Sequence, residues 1–423
     1  VNIEQLYQHY LAHPSVQTDT RKLQPGDIFF ALRGPTFNGN QYAAAALEAG
    51  ASLAVIDDPA FHTAPDKMML AADALHALQQ LARRHRQQFD IPFIAITGTN
   101  GKTTTKEMVR TVLGSHYRTY ATAGNLNNHI GVPLTLLGIP ANAEMAVIEM
   151  GANHQREIAG YCTVALPTHG LITNIGKAHL EGFGGEEGVR KAKGELYDYL
   201  RDTNGTAFVC TDYPYLLDMS KGIAEVVTYG SANAGYTGKP VEGSALLALG
   251  TEQTGLIHTR LVGGYNFPNV MAAIAIGLHF GVPAQKIKTA IEAYVPANNR
   301  SQIEKRGGNT FIMDAYNANP SSMKAAVENF AAIKAAQKVL LLGAMKELGE
   351  DSEKEHQALA DLLQQQHWKA VVLVGPEFAA VNHPYIFMET ADDARKWLEQ
   401  QGFENTHILV KGSRSVGMEK VLP

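Results

Sequence analysis

The stretch FIAITGTNGKTTTKEMV, residues 93–109, constrains the fold more than any other part of the chain. Five mostly apolar residues run into a turn holding Gly98 and Gly101. A helical pattern then opens on Lys102 and three threonines. A strand that passes through a glycine turn into a helix is the opening unit of a parallel sheet with crossover helices. The same turn suits polyphosphate, because its amides and the positive end of the helix favour anions. Lys102 would reach the outer phosphates, and the hydroxyl of Thr103 or Thr104 would hold magnesium. The strict nucleotide loop G-x-x-x-x-G-K-[ST] needs glycine at position 96, where this chain has Ile96, so the loop here is a shortened form.

At 423 residues the chain exceeds one ordinary core, and its rhythm falls into three blocks. Residues 1–88 hold a turn at Pro25-Gly26-Asp27, the strand IFFAL, a helical run ending at Gly50, the strand SLAVID and a helix over about 71–88. Residues 89–297 alternate short apolar runs (93–97, 145–150, 170–175, 206–210, 224–230) with helical patterns, which predicts a mostly parallel sheet covered on both faces. Residues 298–423 restart the rhythm with strands at 310–314, 338–343, 370–375, 385–388 and 407–412, a second doubly wound sheet. The expected class is α/β in three domains: a smaller α/β unit, a central P-loop-type unit and a Rossmann-like unit.

A net charge of −5 with no basic block gives no sign of nucleic-acid binding. Cys162 and Cys210 are the only cysteines, with no CxxC spacing, which argues against a disulfide framework or a structural zinc site. Hydrophobic content of 45% without an apolar run of membrane length, and a start unlike a signal peptide, predict a soluble, cytoplasmic protein. The longest apolar stretch, 270–282, contains His279 and reads as a buried helix.

Several polar residues stand where chemistry would gather. Glu149 ends a strand and His179 follows another, so both would come beside the phosphate loop. Glu149 suits magnesium, which favours oxygen ligands and shares phosphates, and a histidine is a less usual partner. The competing readings are a helix-terminal charge and a satisfied loop histidine. In the helical pattern 188–200, Val189, Ala192, Leu196 and Leu200 share one face. Lys193 falls inside that face and Lys191 opposite it. An inward lysine is paired, neutralised or modified, or else its stem carries the ammonium out to water. Asp314 ends a strand in the third block, and Asn319 with Pro320 reads as a helix cap. Asn317 and Asn319 are hydrogen-bonding groups at that sheet's edge, or merely a well-capped loop. Arg300 at the block junction reads either as a phosphate contact or as a solvated linker residue.

TGTNGKTTTK (97–106), NLNNHIGVPLTLL (125–137), EMGAN (149–153), NIGKAHLEGFG (174–184) and KAKGELY (191–197) occur in order. DAYNANPSSM (314–323), LLGAMKELGE (341–350) and KGSRSVGMEKV (411–421) follow. This succession resembles the Mur ligases and their folylpolyglutamate synthase relatives, over nearly the whole chain, and most of all the branch that adds a D-alanyl dipeptide. The resemblance implies an ATP-dependent, ADP-forming amide ligase joining D-alanyl-D-alanine to UDP-MurNAc-tripeptide in cell-wall synthesis, acting as a monomer. It implies ATP bound by Gly98, Thr99, Asn100, Gly101, Lys102, Thr103 and Thr104, with Asn269 at adenine, Arg300 at phosphate and Asp314 at ribose. Two Mg2+ are implied, the first on Thr103 and Glu149, the second on His179 and a carbamylated Lys193. Thr20, Arg21 and Asn38 would meet the UDP end, and Asn317 and Asn319 the acceptor. The chain departs from the family pattern at Ala344, usually an aspartate, at Asn40 in the usual Asp-Gly-His-like loop, and at Tyr265, where histidine is common. A sister amide ligase is the near rival, and a P-loop ATPase switch the distant one.

Overall fold

The computed structural model describes residues 2–241, 245–297 and 300–422. The expected junction at 297/298 therefore borders residues 298–299, which lie outside the described residues. Three main sheets appear, each from its own stretch of chain. The first has four parallel strands, Val16–Gln17, Ile28–Phe30, Leu53–Ile56 and Met68–Leu70. Its helix Ala74–Arg86 starts where the Asp73 side chain accepts from the His76 amide, and its last turn is basic, which suits the helix dipole. Buried Arg86 donates to the carbonyls of Ala165 and Leu166 and so ties this unit to the next.

The central sheet has nine strands. The strand Phe93–Thr97 lies between Met145–Glu149 and His169–Ile172, both parallel to it. From its end the chain goes first to Thr119–Ala121 at one edge, then crosses to the opposite side, so the glycine turn sits at a topological switch point. Phe93, Ile94, Ala95 and Ile96 are fully buried, as a strand covered on both faces requires. The expected helix over 270–282 is Phe267–His279, with ten buried residues. One part of the sheet departs from the parallel expectation. Tyr236–Val241, Leu246–Thr251 and Gly255–Val262 extend it, the last two strands antiparallel. Gly255–Val262 alternates buried and exposed residues, with one face towards water, whereas Leu246–Thr251 is mostly buried and carries the apolar run Leu246–Leu249.

The third sheet has six strands in the order Gln302–Arg306, Asn309–Asp314, Thr406–Lys411, Gln337–Gly343, Ala370–Val374, Ile386–Met388. All neighbours are parallel except the first pair, which turns at Gly307-Gly308. Helices Pro320–Ala332 and Ser352–Leu363 pack on one face around Met323, Phe330 and Leu363. Helix Ala391–Gln401 covers the other through Ala394 and Leu398, which makes the sheet doubly wound. Among the described residues no helix is long and apolar enough to cross a membrane.

Candidate active site

The carboxyl ends of the central and third sheets face one another across a cavity of about 790 Å3. The glycine turn forms its floor. Gly98 has φ +136°, and a Cβ there would stand 2.0 Å from Thr173 Oγ1. Gly101 opens the helix Lys102–Gly114 at φ +80°, with Asn269 Oδ1 2.6 Å from where its Cβ would be. No other residue fits either position without strain. The loop is pinned from behind: the Thr99 amide donates to Asn174 O (2.9 Å) and the Asn100 amide to Asn174 Oδ1 (3.0 Å). Those two amides serve the loop's own shape. The first-turn amides of Lys102, Thr103 and Thr104, which have no acceptor within their helix, remain for an anion.

Lys102 bends over the turn and donates to Gly98 O (2.7 Å) and Thr99 O (2.9 Å). Burial pushes its ammonium down to about 8, with Glu149 opposing the shift and Arg300 adding to it. Glu149 is 1% exposed. Its Oε1 accepts from Asn127 Nδ2 (2.7 Å) and Thr103 Oγ1 (3.1 Å), while Oε2 is buried with no partner. A buried carboxylate oxygen left bare is costly unless a cation arrives.

Lys193 lies on the helix Glu186–Asp202, whose buried face includes Val189, Ala192, Leu196 and Leu200 as the wheel requires, with Lys191 exposed. The stem does not carry the charge to water, because Lys193 is 2% exposed. Its Nζ donates to Ala152 O (3.1 Å) and sits 5.0 Å from the centre of the Phe183 ring. Burial, then the nearby Lys102, holds this amine well below the usual lysine range. Glu157 and Glu195 oppose the shift only through space, since their carboxylates bond backbone amides of residues 153, 154, 156 and 159. Lys193 is thus a buried amine whose charged form is disfavoured, one residue layer behind the cavity wall, where Ala152 lines it.

The third sheet supplies the opposite wall. Asp314 accepts from buried Lys411 (2.6 Å), which also donates to Asn317 O (3.2 Å). Arg300 lays its guanidinium 3.5 Å from the centre of the Tyr316 ring. Asn269 is held by Thr105 and Asn266. The Asn319 side chain caps its helix through the Ser322 amide and donates to Asn100 Oδ1 (2.8 Å), so it grips the nucleotide loop as well as facing the cavity.

The structure therefore brings Thr99 to Thr104, Glu149, His179, Asn269, Arg300, Asp314, Asn317 and Asn319 to one cavity. Thr20, Arg21 and Asn38 stay on the first unit, away from it. Arg21 pairs with Asp19, and Asn38 turns its side chain onto Asn40.

The family profiles named Mur ligase family catalytic domain, Mur ligase middle domain and Mur ligase glutamate ligase domain match residues 14–86, 96–277 and 299–414. The UDP-N-acetylmuramoyl-tripeptide–D-alanyl-D-alanine ligase of Bacillus subtilis is 34% identical, covering all of this chain and 96% of that one. The chain belongs to the Mur ligase family. Two solved Mur ligases share its fold. MurF from Acinetobacter baumannii superimposes with TM-score 0.86 at 31% identity, over 96% of this chain and 92% of that one. MurF from Thermotoga maritima in complex with ADP gives 0.87 at 26%, over 97% of each.

Within this Mur ligase, sequence reasoning passed over several residues of the cavity. Asn127 orients Glu149, and Lys411 holds Asp314. Tyr316 carries the Arg300 guanidinium, and Ser321 accepts from the Lys177 amide (2.9 Å). Asn127, Lys411, Tyr316 and Ser321 all lie inside the motifs at 125–137, 314–323 and 411–421, but only Lys411 falls in an expected strand, 407–412.

Proposed function

We propose that this Mur ligase joins D-alanyl-D-alanine to UDP-N-acetylmuramoyl-tripeptide, using ATP and passing through an acyl phosphate. The observation that carries this reading is the buried, bare Oε2 of Glu149 set beside Thr103, Lys102 and a free helix N-terminus. That set suits a nucleotide triphosphate with magnesium. Among the described residues no group of three or more His, Cys, Asp or Glu could hold a metal unaided, so the phosphates would complete the ligand set. Thr103 and Glu149 fit one ion. His179 and Lys193, the latter carbamylated, fit a second. Carbamylation needs a neutral amine, which adds to CO2, forms an N–C bond and releases a proton. Burial disfavours the charged form of Lys193, and an added carboxylate would lie beside Ala152, which lines the cavity.

Magnesium would neutralise charge on the phosphates as the reaction begins. The tripeptide carboxylate attacks the γ-phosphorus and ADP leaves, with Lys102 and Arg300 holding charge and position. The amine of the dipeptide then attacks the acyl carbon, phosphate departs, and the amine's proton passes to a base, for which His179 on the cavity wall is the candidate. The acyl phosphate must be kept from water, and the contacts between the two sheets' loops serve that end. We assign residues 1–88 to the UDP end of the substrate, 89–297 to ATP and 298–423 to the acceptor. Thr20, Arg21 and Asn38 belong to the first role. Asn269 and Asp314 fit the nucleoside, and Asn317 and Asn319 the dipeptide. Both walls of the cavity come from one chain, which fits a working monomer, and free Cys162 and Cys210 fit the reducing cytoplasm where ATP is at hand.

Steady-state kinetics with the UDP-tripeptide and ATP tests the reading. D-Alanyl-D-alanine should be used far better than D-alanine, because a site built for a dipeptide leaves polar groups unsatisfied when the internal amide is missing. Each such group costs about 1–3 kcal/mol. The nucleotide products should be ADP and phosphate. Better use of single D-alanine or L-glutamate would move the chain to a sister activity, and AMP formed with the amide would remove the mechanism.

A further inference from the structure

His179 and Glu347 stand on different sheets' loops and meet at the edge of the cavity. The imidazole Nδ1 lies against the Glu347 carboxylate. Both residues have left-handed backbones, His179 at φ +50° and Glu347 at φ +63°, a conformation that side chains rarely adopt and that collects at functional sites. The contact is half-exposed on the glutamate side, so as an ion pair it adds little to stability. Two strained residues are not explained by so small a return.

The loop carrying Glu347 is nevertheless held at every step. The Ala344 amide donates to Val374 O (2.8 Å), the Met345 amide to His356 Nε2 (3.0 Å) and the Lys346 amide to Ser413 Oγ (3.0 Å). His356 is fully buried, and its Nδ1 donates to Ser352 O (2.7 Å), which fixes the ring that receives Met345. The Lys346 ammonium pairs with Glu377. On the facing side, Lys177, two residues before His179, bonds buried Glu355 (2.7 Å) through Nζ and Ser321 through its amide. The third sheet thus delivers one carboxylate to one ring nitrogen, and both loops are built to make that meeting exact in place.

We propose that Glu347 is a positioning residue for the ligation reaction, acting through His179. His179 Nδ1 is buried against this carboxylate and has no hydrogen-bond partner elsewhere among the described residues. A proton on Nδ1 is therefore the arrangement the carboxylate favours, which leaves the lone pair of Nε2 for the cavity that His179 lines. Because the carboxylate comes from the third sheet, His179 is set for work only when that unit is docked on the nucleotide loop. This rests on the ligase reading above, with His179 beside the phosphates.

A double-mutant cycle with a spectroscopic reading tests it. Glu347→Ala should lower kcat by about 10–100-fold while KM for ATP stays within about two-fold, the effect expected of a lost partner to a working histidine. Glu347→Gln, which keeps an acceptor oxygen, should recover part of the rate, and the exposed control Glu350→Ala should match the parent. In a His179→Ala background, Glu347→Ala should cost nothing further. Nitrogen-15 NMR of the ADP-bound protein, with the His179 ring assigned by its own variant, should show the Nδ1–H tautomer in the parent and its loss in Glu347→Ala. Equal losses from Glu347→Ala in both backgrounds, or an unchanged tautomer, would overturn the proposal. The NMR reading needs bound ADP and no turnover, so it decides on Glu347 even if the parent forms no amide with any acceptor.

Discussion

Lys193 offers the sharpest separation of function from fold. Replace it with Met, which fills a similar volume with no ionisable group, and compare Lys193→Ala and Lys191→Ala. In the parent, Lys193 has 2% of its surface exposed, bonds one carbonyl and makes no ion pair with Glu157 or Glu195, whose oxygens serve backbone amides. Burying an ionisable group in that way works against stability, and a hydrophobe of similar volume is neutral or stabilising by about 1–4 kcal/mol in such places. Lys193→Met should therefore melt at the same temperature as the parent or a few degrees higher. The burial that suits the fold should not rescue the chemistry. If the lysine carries a carbamate at the phosphates, its loss removes an electrostatic contact worth about 3–4 kcal/mol, a factor of hundreds in kcat. Lys191→Ala should stay within about 0.5 kcal/mol in stability and near the parent in rate. Phosphate release measured with the UDP-tripeptide and D-alanyl-D-alanine gives the rates, and calorimetry gives the melting temperatures. Two further readings tie the effect to the carbamate: stripping CO2 should slow the parent reversibly, and small carboxylates should partly restore Lys193→Ala. A Lys193→Met protein that ligates at the parent rate, or one that loses activity only because it melts early, would refute the reasoning.

Lys102→Ala should keep the fold and lose ligation by a factor of hundreds, about 3–4 kcal/mol of transition-state stabilisation, and turnover near the parent's in the purified variant would remove the nucleotide-loop assignment. The depressed Lys102 ammonium also predicts linked protons. With a value of about 8 in the free protein, roughly half of the molecules carry an uncharged Lys102 at pH 8, and a phosphate placed beside it raises that value again. ADP binding at pH 8 should take up about half a proton, and far less at pH 6.5, where the free amine is already charged. Calorimetric titration in buffers of differing ionisation enthalpy measures this, and proton release, or uptake independent of pH, would count against it.

The parts of the fold that were legible in the sequence are those whose local pattern and tertiary role agree. Phe93–Thr97 is buried on both faces and reads as a continuous apolar run, and Asn319-Pro320 announces a helix start that the capping bonds bear out. The wheel placed Lys193 inward because a helix's faces follow from spacing alone. Tyr236–Val241 and Gly255–Val262 stayed hidden because half-exposed strands holding Gly238, Pro240 and Gly255 carry few of the usual strand signals. The apolar run Leu246–Leu249 between them was a readable signal that was passed over.

The site was legible one side chain at a time and opaque in its pairings. Glu149, Lys102 and His179 were expected at one cavity because the first ends a strand and the others follow one, and the switch-point rule says where strand ends gather. No such rule says which residue of the third sheet arrives opposite. Asn319 shows the difference. Its type and its place before Pro320 gave the cap, yet the bond from its Nδ2 to Asn100 depends on how two separately folded sheets dock. The same holds for Glu355 on Lys177 and Glu347 on His179. These three contacts join loops 150 residues or more apart in sequence, and each touches the glycine turn or the segment 174–179 that pins it. The two walls of the cavity are therefore coupled where the nucleotide would lie. A ligand that draws the glycine turn inward would act on the third sheet's wall through these bonds, and a ligand on that wall would act equally on the turn.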